Sequence, residues 1–101
     1  MELNVLERIM LLAALPVEGN YLTFKILMEL KATVSFNEEE IKEFDIKETG
    51  GRITWDPKKV KDKKFDFGMK ANEIIGNALK KLDEAGKINE QNASLYEKFM
   101  K

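Results

Sequence analysis

Histidine and cysteine are both absent from this chain of 101 residues. Histidine is the commonest general base near neutral pH, cysteine is the usual thiol nucleophile, and the two supply most zinc ligands. Their absence excludes the familiar catalytic triads, zinc sites and any disulfide bond. We therefore expect a protein that binds rather than catalyses, with no catalytic residues, no metal ligands and no cofactor.

A long hydrophobic run and a charge imbalance are also lacking. The longest apolar run, Ile9 to Leu15, is far shorter than the roughly 20 residues that cross a bilayer. Glu2 and Glu7 stand where a secretory signal needs basic residues. We therefore expect a cytoplasmic protein without membrane contact. With 17 basic and 18 acidic residues, the net charge of −1 provides no overall attraction to nucleic acid.

The residues that are present predict three helices in the N-terminal half. Asn4 and Glu7 have the spacing of a capping box, which predicts a helix over residues 5–14. Asn20 is placed to cap a second helix that runs to about Ala32 or Thr33. Apolar residues cover most of its circumference, so we expect this helix to be covered on more than one side. Asn37 and Glu40 form a second capping pair, which predicts a short third helix.

After the third helix, apolar and polar residues alternate with a period of two, which predicts a β-hairpin. Gly50 and Gly51 suit the positive φ angles of a two-residue turn, and counting outward sets Thr49 opposite Arg52 and Lys47 opposite Thr54. This register predicts one core-facing side, made of Phe44, Ile46, Ile53 and Trp55. The alternation over residues 65–67 predicts a third strand beside the hairpin, because a two-stranded sheet is marginal alone.

Two helices are predicted to close the chain. Apolar residues at spacings of three and four predict one over residues 69–85, with Gly86 as its C-terminal cap and close packing to explain Gly76. Asn89 is placed to cap the last, over residues 90–100. We expect a single α+β domain over residues 1–101: an N-terminal helical pair and short helix, a small antiparallel sheet of hairpin plus third strand, and two C-terminal helices covering it.

Three surfaces are candidate partner-binding sites, and each also has an ordinary structural explanation. The acidic residues Glu38, Glu39 and Glu40 suit a helix N-terminus, the lysines suit a solvated loop, and the last aromatic residues suit the core. Asp45, Asp56 and Asp66 could converge on a cation, but strand alternation places all three towards solvent. The other candidate residues are Lys58, Lys59, Lys61, Lys63 and Lys64 in the loop, and Tyr96, Phe99 and Met100 at the C-terminal end.

Nucleic-acid binding is the alternative function. The lysines of residues 58–64 could neutralise phosphates, and the neighbouring Trp55 or Phe65 could stack on a base. Loops rich in lysine are more often solvated surface, and the hairpin register buries Trp55. We therefore favour a protein partner or a second copy of the chain over nucleic acid.

Several stretches together carry a family resemblance: LERIMLLAALPVEGNYLTFKI, SFNEEEIKEFDI, GGRITWDP, FGMKANEIIGNALKKLDEAGKI and LYEKFM. In this order they resemble a group of small bacteriophage and prophage proteins with no assigned activity. The resemblance covers nearly the whole chain and transfers no functional residues. It implies an accessory protein expressed in a bacterial host, with phage or host proteins as partners.

Overall fold

The computed structural model describes residues 1–100, and it contains five helices and four short strands. The helices are α1 (Val5–Ala14), α2 (Tyr21–Val34), α3 (Glu38–Glu43), α4 (Met69–Glu84) and α5 (Ala93–Met100). The strands are β1 (Glu2–Leu3), β2 (Lys47–Thr49), β3 (Arg52–Thr54) and β4 (Lys63–Lys64). The predicted α+β class is confirmed. Lys101 lies outside the described residues.

The predicted caps begin the first three helices. The side chains of Asn4, Asn20 and Asn37 each accept a backbone N–H three residues further on, and α1 and α3 have complete capping boxes. The last helix begins three residues later than predicted. Its predicted cap, Asn89, accepts the N–H groups of Gln91 and Asn92, so residues 90–92 form a turn before α5.

The core lies between the helices. Helix α1 contacts α2, α4 and α5, and α4 also contacts α2 and α5. Leucines from four helices form its centre, joined by aliphatic residues and Phe65. The prediction that α4 and α5 cover a sheet built on the hairpin is therefore wrong: α4 packs against α1, α2 and α5, and α5 packs against α1 and α4.

The hairpin register is as predicted, but the hairpin is not buried against the core. Lys47 pairs with Thr54 and Thr49 with Arg52, and Gly50 and Gly51 both have positive φ. All residues of β2 and β3 are exposed, and Ile53 is 42% exposed. Of the residues assigned to the core-facing side, only Phe44 is fully buried, and it ends α3 instead of lying in a strand.

The conformation of Asp45 explains the late start of β2. Its φ of 54° is left-handed, and the next N–H, from Ile46, donates to the Ile41 carbonyl 3.0 Å away. This is a Schellman-type helix end, and it delays the extended backbone until Lys47. Gly86 ends α4 in the same way, with a φ of 69°, as predicted.

Two further predictions are wrong. Residues 65–67 do not form a third strand beside the hairpin; instead Lys63–Lys64 pairs with Glu2–Leu3 in a separate two-stranded sheet. Close packing does not explain Gly76, because a Cβ built at this residue would meet no heavy atom within 4 Å.

Candidate interaction surfaces

Helix α2 carries four large apolar side chains that are exposed. We define the α2 outer face as Tyr21, Phe24, Lys25, Met28 and Ala32. Leu27, Leu30 and Val34 are buried on the opposite side of the helix. Consecutive helical residues are turned by about 100°, so a second apolar stripe points away from the core.

The apolar side chains of this region are largely in solvent. Tyr21 is 78% exposed, Leu22 66%, Met28 56% and Phe24 42%. The prediction that α2 is covered on more than one side is therefore wrong for the single chain, since the other elements cover only its inner side. Val17, in the turn before the helix, is exposed as well.

An apolar cleft lies between α1 and the hairpin. It has a volume of about 380 Å³, and Glu48 is its one charged lining residue. The cleft exists because β2 and β3 stand beside α1 without closing on it, which leaves Ile46 and Ile53 facing α1 across a gap. Its apolar lining residues are Ile9, Leu12, Ala13, Phe36, Ile46 and Ile53.

The acidic helix and the lysine loop, two of the predicted candidate surfaces, lie against each other. The Lys61 ammonium is 3.1 Å from a Glu43 carboxylate oxygen, and Lys63 is 4.0 Å from Glu40. Lys59 lies 4.0 Å from Asp56. Lys63 and Lys64 form β4, and Lys58 donates its backbone N–H to Asp56. Much of the positive charge of this loop is therefore next to carboxylates, which weakens its attraction for phosphate.

Glu40 differs from its two acidic neighbours. Glu38 and Glu39 are exposed, but the carboxylate of Glu40 makes a two-pronged contact with the Arg8 guanidinium, at 2.6 and 3.2 Å. Arg8 is fully buried and also donates to the carbonyls of Val34 and Ser35. The hydrogen bonds from Arg8, above all, hold the pKa of Glu40 below its ordinary value despite partial burial.

Glu7, in α1, is a fully buried carboxylate. Its oxygens accept hydrogen bonds from Lys98 at 2.7 Å, the Asn4 N–H at 2.9 Å and Ser94 at 3.0 Å. Burial alone would raise the pKa of Glu7, but these donors together outweigh burial and lower it. Glu7 and the partly buried Glu40 are thus ionised anchors, poorly suited to exchange protons near neutral pH.

The C-terminal aromatic residues are used within the chain. Tyr96 donates its hydroxyl to Asp83 at 3.3 Å, and the Phe99 ring lies 5.9 Å from that of Phe67. Burial and the neighbouring Asp83 raise the pKa of Tyr96. Met100 is the more exposed member of this set. Tyr96 and Phe99 therefore offer less free surface than the α2 outer face.

Sequence reasoning identified some of these surfaces and missed others. The α2 outer face was expected to be covered by other parts of the chain. The cleft has no local sequence signal because its walls are distant in the chain. The burial of Arg8 has one signal in the sequence: this basic residue lies at the start of the apolar run of α1. Within the described residues, no group of three or more Asp and Glu side chains could hold a metal ion, so Asp45, Asp56 and Asp66 form no such group.

Comparison of the chain with protein-family models, with curated proteins and with solved structures found no match. None of the helices between residues 1 and 100 has the length and apolar character that crossing a membrane requires.

Proposed function

We propose that this chain is a non-catalytic protein-binding module that acts through the α2 outer face. The observation that carries the proposal is the exposure of Tyr21, Phe24 and Met28 along one helix side. Contiguous exposed apolar side chains are unfavourable in water and typically mark a surface that a partner covers. Aromatic residues and methionine are also the types enriched where proteins meet.

The resemblance to phage and prophage proteins gives the proposal its setting. An accessory protein of this kind would work in the cytoplasm of a bacterial host, and its partner would be a phage or host protein. A helix that presents an apolar stripe commonly binds the groove or helix of another protein.

The buried charges support a binding role over catalysis. Glu7 and Glu40 each have a lowered pKa and are surrounded by donors that they hold in place. A general acid or base would need a pKa near the working pH. The ion pairs of Lys61 and Lys63 likewise favour a protein partner over nucleic acid, because a phosphate would have to compete with Glu43 and Glu40.

The proposal is tested by capture with tagged wild-type protein and a tagged Met28→Glu variant, from a bacterial host lysate that also contains the untagged chain. We expect the wild type to retain a specific protein that the variant loses, since a buried carboxylate opposes burial of the apolar stripe. The matched control is Ile41→Ser, which removes an exposed apolar side chain from α3. Equal capture by Met28→Glu and wild type would contradict the role of this face.

The nucleic-acid alternative has its own test. We expect labelled oligonucleotides not to bind the wild-type protein at low salt, where phosphate contacts are strongest. Binding that disappears when Lys58, Lys59 and Lys64 are replaced by glutamine would favour the alternative. The control replaces three lysines remote from the loop in sequence: Lys25, Lys80 and Lys87.

A further inference from the structure

The charges and side-chain sizes along α2 are complementary to those of an antiparallel copy of the same helix. Residues 21, 25, 28 and 32 point outward, and Glu29 flanks this stripe on the same side as Lys25. Lys25 and Glu29 are both exposed. The flank therefore carries one positive and one negative charge, one turn apart.

A two-fold axis perpendicular to α2 keeps the same flank of each helix together. If the axis passes at the level of Leu27, a residue before Leu27 lies level with the residue equally far after it in the other copy. Lys25 then lies level with Glu29 of the second copy, and Glu29 with Lys25. Two opposite-charge pairs form at once, which is the reciprocal pattern of an isologous interface.

The same placement matches the apolar side chains by size. Tyr21, the largest outward residue, lies within one residue of the level of Ala32 of the second copy, the smallest. Phe24 and Met28 of the two copies alternate around the axis, as knobs do in antiparallel helix pairs. The charge pairs centre on Leu27, and the match of Tyr21 with Ala32 centres between Ile26 and Leu27, so charge and shape agree on the axis position to within one residue.

We propose that the partner covering the α2 outer face is a second copy of this chain, with the two α2 helices antiparallel about an axis at Leu27. The inference rests on the proposed function, since it assigns the occupant of the same face. It also accounts for the apolar residues around most of α2, because a second copy would cover the side that the single chain leaves exposed. A contact limited to two helices of 14 residues is small, so we expect monomer and dimer in exchange.

Sedimentation velocity over a range of protein concentrations tests the proposal. We expect wild-type protein to shift from monomer to dimer as concentration rises. Lys25→Glu and Glu29→Lys each create two like-charge pairs across the axis, so each variant should dimerise at least about tenfold more weakly. Both positions are exposed, so helicity by circular dichroism should remain that of wild type.

Two charge-restoring samples make the test specific for the antiparallel pairing. An equimolar mixture of Lys25→Glu with Glu29→Lys should form a mixed dimer, and the double variant Lys25→Glu/Glu29→Lys should dimerise with itself again. Dimerisation of the wild type with no recovery in either sample would overturn the antiparallel arrangement. A wild type that stays monomeric at every concentration would overturn self-association.

Failure of this inference can be distinguished from failure of the proposed function. A monomeric wild type that captures a different protein through Met28 would overturn the second copy as partner and leave the binding role of the face intact. A monomeric wild type whose capture is unchanged by Met28→Glu would overturn both. Recovery of dimers in both charge-restoring samples supports the proposed function and the second copy as partner.

Discussion

Two adjacent residues of opposite charge, Glu7 and Arg8, are buried in α1 and are paired with different partners. Glu7 accepts from Lys98 of α5, and Arg8 donates to Glu40 of α3. Removing such charges from water costs several kcal/mol per ion, so each must be surrounded by hydrogen-bond partners to persist. Among residues 1–100, no buried side-chain nitrogen or oxygen lacks one.

The Arg8–Glu40 pair gives the first prediction. Glu40→Ala leaves the buried guanidinium without its carboxylate, and we expect the free energy of unfolding to fall by about 3 kcal/mol. The measurement is the urea midpoint at neutral pH. Glu39→Ala, in the same helical turn but exposed, is the control and should change stability by less than about 0.5 kcal/mol. Equal effects of the two substitutions would contradict the stabilising role of the Arg8–Glu40 pair.

Glu7 gives a prediction about pH. Its pKa in the folded protein lies below the ordinary value of 4.5, so the stabilisation is complete above that value and is lost as pH falls through the folded pKa. We expect Glu7→Gln to be less stable than wild type by about 2 kcal/mol at neutral pH. The difference should shrink as the pH is lowered below 4.5. Denaturant unfolding of both proteins across this range is the measurement; a difference that stays constant in acid would contradict the assignment.

At the scale of elements, the parts predicted correctly are those that depend on near neighbours in the chain. The caps at Asn4 and Asn37 and the turn at Gly50–Gly51 involve groups only a few residues apart. The third strand was placed wrongly because β4 pairs with β1 at the start of the chain. Most of the N-terminal half separates these two strands in the sequence. No local pattern distinguishes a strand that joins the hairpin from one that joins the chain start.

Replacing two of the glycines by alanine should change stability in opposite directions. Gly76 lies inside α4 with open space around the position of a Cβ, so Gly76→Ala should stabilise the protein by up to about 1 kcal/mol. Gly51 has a φ of 81°, which strains any other L residue, so Gly51→Ala should destabilise the hairpin by about 1 kcal/mol. Far-ultraviolet circular dichroism follows the helices, and fluorescence of Trp55, the one tryptophan of the chain, follows the hairpin. A stabilising effect of Gly51→Ala would contradict the turn conformation.

For the whole molecule, the hydrophobic pattern does not distinguish burial by the same chain from burial by another. Tyr21, Phe24 and Met28 are residue types common in cores, and the apolar pattern of α2 predicted that the helix is covered on more than one side. In the structure they lie outside the core, although Leu27 and Leu30 of the same helix lie inside it. The apolar character of the α2 outer face can therefore be read from the sequence. Its exposure follows only from the packing of α1 and α4 against one side of α2.

Self-association also predicts how stability depends on concentration. Since only the folded chain can form the dimer, the melting temperature of the wild type should rise with protein concentration. The Met28→Glu variant should melt at one temperature at all concentrations, whatever its own stability. Differential scanning calorimetry over a wide concentration range is the measurement. An equal rise for both proteins would exclude the α2 outer face as its cause.

The buried Glu7 and Arg8 also determine which parts of this protein can be exchanged for those of another. A helix that replaces α1 must place an acidic side chain beside Lys98 and Ser94 and a basic side chain beside Glu40. Without them, Lys98 and Glu40 lose their oppositely charged partners. A shift of α1 by one residue would direct each charge away from its partner. The smallest interchangeable unit is therefore the set of α1, α3 and α5 together. A chimera that exchanges α1 alone should be less stable than one that exchanges all three helices.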